Sequence, residues 1–166
     1  MNWITVIWSA VAGASLAMAL MHLLIWCRDR SSWANLCFSI NVVGVLGLAA
    51  AEMACLRTLS PVEYGDAVRW GHLAFTVAFV GSVLFVHFYF GTGRRWLLAL
   101  ALGVRLLATV VNFMSGMNLH IRAIERLERI TLLGEPVTVL AKWQPNPWMR
   151  LGQFAALLWL AAWWAL

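Results

Sequence analysis

The chain has 166 residues, of which 63% are hydrophobic and only 11% are charged. Soluble domains carry about 25% charged and 45–50% apolar residues, so this chain has too few charges to cover a water-facing surface. Its net charge is +5 and 11 of its 12 basic residues are arginines, but they are scattered singly or in pairs. Nucleic-acid-binding surfaces concentrate such residues in a stripe. The composition therefore excludes a cytosolic enzyme, a disordered tail, a secreted disulfide scaffold and a nucleic-acid partner, and it predicts an integral membrane protein.

Five segments are predicted to be transmembrane helices, each of which needs about 20 mostly apolar residues. No Lys or Arg precedes the first of them, so it is interpreted as an anchor rather than a cleaved signal peptide. We therefore expect an all-α fold in which residues 1–166 form a single membrane domain, a polytopic transmembrane helix bundle with five spans. The predicted spans are residues 4–26, 34–55, 69–90, 97–114 and 149–166.

Arginines in the short connections set the predicted orientation. Arg28 and Arg30 follow the first span, and Arg94 and Arg95 precede the fourth. Basic residues in short loops remain on the cytoplasmic side. The N-terminus is therefore predicted to lie outside, with residues 115–148 forming one longer extracytoplasmic loop.

The outer connections carry local signals of their own. The sequence Ser-Pro-Val-Glu at residues 60–63 has the form of a capping box with Pro at the first helical position, which predicts a helix that begins in the outer loop and continues into the third span. Residues 132–139 are predicted to be extended chain around a turn, whereas residues 120–129 fit either an amphipathic helix or a hairpin. The last span ends on an apolar residue without a polar flank, so we expect the sequence to be part of a longer protein.

Small residues recur every fourth position in the first two spans. In lipid, such stripes let two helix backbones approach closely. Internal packing is the favoured interpretation, and a homodimer or a larger membrane assembly is the alternative. The stripes are formed by Ser9, Gly13 and Ala17 in the first span and by Gly47, Ala51 and Cys55 in the second.

Polar side chains at membrane depth near the outer face form the candidate site. Charged groups in lipid are energetically costly and mark a function by default. Arg105 lies in the middle of the fourth span and is long enough to reach toward Glu52, so an ion pair beside His72 is expected. Two interpretations stay open: a buried ion pair that fixes helix register, or a ligand or proton site. The candidate residues are Glu52, Arg69, His72, Arg105 and Asn112.

Two histidines near the inner face are weaker candidates. His22 and His87 lie close to the inner ends of two spans that run in the same direction, so they share a depth. Two facing histidines at one depth could hold a b-type haem. The three cysteines show no metal-ligand spacing and are interpreted as small buried hydrophobes. No catalytic motif and no metal site is predicted, and the sequence names no cofactor beyond haem b as an alternative.

Distinct motifs run through nearly the whole chain in a fixed order. They are MHLLIWCR at 21–28, SWANL at 32–36, AEMA at 51–54, SPVEYG at 60–65, RWGH at 69–72, FGTGR at 90–94, GVRL at 103–106, VNF at 111–113, NL at 118–119, LGE at 133–135 and NPWMRLGQ at 146–153. Together they resemble the N-terminal membrane region of a group of bacterial sensor histidine kinases.

The resemblance implies a sensory input domain in the bacterial inner membrane, followed in the family by further spans and a cytoplasmic kinase that are absent from this sequence. Position by position, His22, Glu52, His72, Arg105 and Asn112 fall on polar positions of the family pattern. Two features depart from it: the family more often has Arg in place of the second inner histidine, and its loop differs over residues 120–130. The resemblance therefore favours the outer cluster over a haem.

Three functions are weighed on this basis. The first is a membrane input domain of a two-component system, in which a ligand or a membrane change shifts helix packing. The second is a small accessory subunit of a larger electron-transfer or pigment-binding membrane complex. The third is a b-type haem protein. In each case the lipid bilayer is the predicted surrounding.

Overall fold

The computed structural model describes residues 3–164, with side chains described as far as residue 162. The chain forms five helices and one two-stranded sheet in these residues. Their order is α1 (Trp3–Arg28), α2 (Trp33–Arg57), α3 (Pro61–Phe90), α4 (Arg95–Met114), β1 (Ile121–Leu132), β2 (Glu135–Pro145) and α5 (Met149–Trp164).

Helices α1 to α4 are long and apolar enough to cross a membrane. They coincide with the first four predicted spans and support the membrane localisation expected from composition. Helix α5 is also apolar, but its 16 described residues are fewer than the others have. Residues 165–166 of the predicted fifth span lie outside the described part of the chain. The fifth span therefore stays a prediction.

The prediction of an all-α fold is wrong in the long connection, because β1 and β2 form an antiparallel hairpin there. Leu132 pairs with Glu135, and the two residues between them have positive φ angles of 51° at Leu133 and 81° at Gly134. A two-residue turn with two positive φ angles matches the twist of the flanking strands. The extended chain predicted around a turn is thereby confirmed, and of the two alternatives for residues 120–129 the hairpin is the correct one.

Helix α3 begins in the connection after α2, before the predicted third span, and runs without interruption from Pro61, as the sequence predicted. The capping contact differs from the predicted one, because Ser60 makes no side-chain bond to the helix. Instead, the Thr58 hydroxyl donates a hydrogen bond of 2.6 Å to the Glu63 carboxylate. The hydrogen bond to Glu63 therefore comes from Thr58, two residues before the cap that the sequence predicted at Ser60.

Helices α2 and α3 pack with almost no space between their backbones. A Cβ added at Gly44 would lie 2.6 Å from the Ala78 Cα, and one added at Gly81 would lie 2.6 Å from the Asn41 Cα. Real Cβ atoms are excluded at such distances because interiors are close-packed. The predicted internal packing is also found along the second stripe, where a Cβ at Gly47 would lie 2.7 Å from the Ala74 Cβ.

The stripe on α1 does not pack internally. Ser9, Gly13 and Ala17 are all exposed, and a Cβ at Gly13 would meet nothing within 4 Å. The buried side of α1 carries Ser15 and Ala19 instead. Internal packing is therefore wrong for this first stripe.

The hairpin lies over the end of the bundle at which α1 begins. The Glu135 carboxylate accepts hydrogen bonds from the Thr5 backbone N–H (3.1 Å) and the Thr5 hydroxyl (2.9 Å). A carboxylate at a helix N-terminus compensates the positive end of the helix dipole. The Thr138 hydroxyl also donates to the backbone oxygen of Thr58, at the end of α2. The hairpin thus connects the ends of two helices.

Candidate functional site

A cavity of about 410 Å³ has walls from α2, α3, α4 and α5 and is also lined by His120, in the connection after α4. Helix α2 packs on α3, and α5 packs on α4, so the cavity occupies the space left between α2 and α5. Cavities of about 300–1,000 Å³ with mainly apolar walls are typical of ligand sites. Five polar side chains interrupt the apolar wall: Glu52, His72, Arg105, His120 and Gln153.

Arg105 is the most buried charged group of the cavity, with 2% of its surface exposed. Its Nε donates to the Thr76 hydroxyl at 2.9 Å, and its Nη2 donates to the His72 backbone oxygen at 3.0 Å. The guanidinium carbon lies 4.5 Å from the centre of the Phe75 ring. Position 152 is a glycine, where a Cβ would lie 3.3 Å from Nη1. The backbone of α3 thus orients the guanidinium, and the glycine of α5 leaves room for it.

The expected ion pair between Arg105 and Glu52 is absent from the described residues, in which all the ion pairs lie elsewhere. The guanidinium turns toward α3 and binds Thr76 and the backbone of His72. Glu52 lines the same cavity from α2, where it is exposed. The Arg105 side chain reaches two acceptors on α3, whereas the Glu52 carboxylate remains exposed. The two charges therefore share a cavity without forming a pair.

His72 and His120 meet where the connection after α4 borders the cavity. Their ring centres are 4.2 Å apart and nearly perpendicular, at 85°. Nε2 of His72 is buried and has no hydrogen-bond partner among the described residues. Burial and, after it, the positive charge of Arg105 lower the pKa of His120 below its ordinary value. The His120 ring is therefore uncharged at neutral pH, and Arg105 is the fixed positive charge of this group.

Asn112 and Arg69 do not line the cavity, although the sequence placed them in the same cluster. The Asn112 amide donates to the Arg69 backbone oxygen (3.0 Å) and accepts from the Leu119 N–H (2.9 Å). The Arg69 guanidinium pairs with Asp66 at 3.3 Å and donates to the Gly116 backbone oxygen. Both side chains are thus used to hold the connection after α4 against α3.

A second buried amide positions the histidine that closes the cavity. The Asn118 oxygen accepts from the backbone N–H groups of His120 (3.0 Å) and Ile121 (2.7 Å), and its Nδ2 donates to the Gly65 oxygen at 3.2 Å. The Asn146 Nδ2 donates to the Asn118 backbone oxygen at 2.8 Å. Buried backbone groups are nearly always paired. Here two asparagine side chains provide that pairing in a segment without regular structure.

The two inner histidines are not brought together. His22 packs on Phe38 of α2, with 4.2 Å between ring centres, and Phe38 in turn packs on Phe85 of α3 at 5.4 Å. The ring of His87 donates to the backbone oxygen of Thr92 at 2.9 Å. Helix α2 therefore lies between the two histidines, and no contact joins their rings in the part of the chain that is described. This arrangement lacks the facing pair that the haem interpretation required.

Sequence reasoning missed two residues of the cavity, His120 and Gln153. A signal for Gln153 was present, because it is a single amide in the apolar sequence that follows Arg150. Polar residues in such segments usually face a protein interior or a cavity. No signal placed His120, since its position depends on how the connection after α4 folds back over α3.

Comparisons of the chain with protein-family models, with curated proteins and with solved structures gave no match.

Proposed function

We propose that this chain is a membrane-embedded sensory input domain of the kind found in bacterial two-component sensor histidine kinases. The observation that carries the proposal is the cavity of about 410 Å³ between α2 and α5. A ligand in this cavity would contact α2 and α3 of one helix pair and α4 and α5 of the other at the same time. A ligand can shift an equilibrium only by binding two states differently. A site between the α2–α3 pair and the α4–α5 pair can bind two states differently, because a change in the distance between the pairs changes the contacts of the ligand.

The proposal includes five spans in the bacterial inner membrane, with the N-terminus outside. Two observations support this orientation. The hairpin and the start of α1 are at one end of the bundle, joined by the bonds between Glu135 and Thr5. The connections at the other end are short and carry four arginines, as cytoplasmic connections do. Those arginines are Arg28, Arg30, Arg94 and Arg95. In this orientation α5 leads from the cavity toward the cytoplasm, where an output would lie.

The native Cys27 provides a test of the orientation, because it is exposed near the end of α1 while Cys37 and Cys55 are buried. A charged, membrane-impermeant maleimide added to intact spheroplasts should leave Cys27 unlabelled, and labelling should appear once the membrane is opened. The matched control is Thr131→Cys at an exposed position in the hairpin, which should react in intact spheroplasts. Labelling of Cys27 without opening the membrane would reverse the proposed orientation.

The sensory role is tested by filling the cavity. Ala156 of α5 lines it, whereas Ala161 of the same helix is exposed and does not. With the chain fused after its last residue to a cytoplasmic kinase and a transcriptional reporter, Ala156→Phe should fix the reporter at one level. Ala161→Phe should leave it unchanged, since it adds the same side chain outside the cavity. Equal reporter levels in the two variants would show that filling the cavity does not affect the output, which would contradict the sensory role.

A role as an accessory subunit of a larger membrane complex is the second candidate. The observation in its favour is the exposed stripe of Ser9, Gly13 and Ala17, which would let another helix approach α1 closely. Gly13→Leu should then dissociate the complex in native gels while leaving the melting temperature unchanged. An unchanged complex would remove this candidate.

A further inference from the structure

We propose that the cavity binds a single-chain apolar molecule with an anionic head, a carboxylate or a phosphate monoester, which lies against Arg105. This inference rests on the proposed function in taking the cavity as the site where the signal binds. Three features of the cavity support it: an unpaired buried cation, unused donors and an apolar wall. A fourth feature, the position of the single acid, provides its test.

The first feature is charge. Arg105 is 2% exposed and forms no ion pair with a carboxylate of the described chain. A buried charge without a counter-charge is costly, and buried charges are therefore usually paired. Its partners, the Thr76 hydroxyl and the His72 backbone oxygen, are neutral. An anion in the cavity would supply the missing negative charge, which a neutral ligand could not do.

The second feature is the number of unused hydrogen-bond donors. A guanidinium has five N–H donors in a planar fork that matches a carboxylate or a phosphate. The bonds to Thr76 and His72 use Nε and Nη2, and Nη1 lies beside Gly152, which lines the cavity. Nε2 of His72 also lacks a partner, although the residue is only 8% exposed. The cavity thus combines a buried cation with an unsatisfied ring nitrogen.

The third feature is the remaining wall, which is apolar along α2, α3 and α5. It is formed by side chains such as Leu48, Val68, Phe75 and Ala156. Such a wall favours a hydrocarbon tail, since burial of apolar surface is favourable in proportion to its area. A cavity that combines one buried cation with a mainly apolar wall fits an amphiphile better than a small inorganic anion.

The fourth feature is Glu52, the one acid among the residues that line the cavity. It is exposed on α2 and carries no ion pair among the described residues. The negative charge of Glu52 weakens the binding of an anionic head but has no such effect on the binding of a neutral ligand. Replacing Glu52 therefore separates the two ligand classes by the sign of its effect.

The experiment measures binding to the 166-residue chain in phosphatidylcholine nanodiscs, with empty nanodiscs subtracted. The probes are dodecanoate, dodecyl phosphate and dodecanol, which share one tail. At least one anionic probe should bind about tenfold more tightly than the alcohol, equivalent to one charge-assisted contact. Tight binding of dodecanoate would identify a free fatty acid as the natural source, and tight binding of dodecyl phosphate alone would identify a lipid phosphate.

Three variants complete the test. Glu52→Gln, at an exposed position, should tighten binding of the anionic probe severalfold and leave dodecanol unchanged. Arg105→Gln should remove the preference for the anion. Arg150→Gln is the matched control, an exposed arginine at the start of α5 that does not line the cavity, and it should change nothing. Equal affinity for all three probes, or no response to Glu52→Gln, would overturn the proposed ligand class.

The two proposals fail in different ways. If no anionic probe is preferred but Ala156→Phe still fixes the reporter, the ligand class is wrong and the sensory role stands. If an anionic probe binds as expected but neither it nor Ala156→Phe changes the reporter, the ligand class stands and the sensory role fails.

Discussion

Replacing Asn118 by Ala is expected to lower the free energy of unfolding by about 4 kcal/mol, because two backbone N–H groups lose their partner and each such loss costs about 1–3 kcal/mol. These groups are the N–H groups of His120 and Ile121. The Gly65 carbonyl, which lies within α3, loses only the additional donor that Asn118 supplies. Asn118 is fully buried, so water cannot replace the lost partners without rearrangement. The connection above the cavity should therefore detach from α3.

Thermal unfolding of the purified chain, followed by circular dichroism, would measure this effect. Asn118→Asp should be less severe, because a carboxylate still accepts from both N–H groups and loses only the donor to Gly65. Gln144→Ala removes an exposed amide that donates to Glu125, and it should change stability by less than about 0.5 kcal/mol, as surface substitutions usually do. A shift for Asn118→Ala as small as that for Gln144→Ala would show that these bonds do not hold the connection.

The second large effect is expected at the contact between α2 and α3. Gly44→Ala would place a methyl group 2.6 Å from the Ala78 Cα, against backbone that cannot move independently of its helix. The helices would have to separate, and overpacking of this kind typically costs about 1–3 kcal/mol. We expect a loss at the upper end of that range, because the obstacle is backbone and not a flexible side chain.

Gly103→Ala is the matched control, because it lies on a helix of the same kind and an added Cβ there would meet nothing within 4 Å. It should be neutral or should stabilise the chain by up to about 1 kcal/mol, the difference in helix propensity between Gly and Ala. Gly81→Ala, opposite Asn41, should behave like Gly44→Ala. If Gly44→Ala and Gly103→Ala melted at the same temperature, the close approach of α2 and α3 would be contradicted.

The helices of this fold could be predicted from sequence because each combines a long apolar run with terminal signals. The start of α3 at Pro61 is an example. The hairpin was harder, since only three of its strand residues are buried and its pairing contains register irregularities. Prediction of strands depends on an alternation of buried and exposed positions. Where both faces of a strand are largely exposed and bulges shift the register, that alternation is lost.

For the candidate site, the depth of each residue along its helix could be predicted from sequence, but the contacts between the side chains could not. Depth brought together Glu52 and His72, and the reach of its side chain added Arg105; all three line one cavity. It also included Asn112, which lies at a similar height but bonds to backbone. Counting residues along a helix gives height, whereas the direction of a side chain depends on how the helices pack. An arginine side chain is also long enough to reach any of several acceptors, and Arg105 binds the Thr76 hydroxyl.

The position of the hairpin after α4 in the chain has a consequence for biogenesis. Synthesis proceeds from the N-terminus, so α1, α2 and α3 are made before the residues that join their ends on the side of the hairpin. Thr5, Thr58 and Gly65 acquire their partners Glu135, Thr138 and Asn118 only later. The contacts that close the bundle on the side of the hairpin can therefore form only after α1, α2 and α3 have been synthesised.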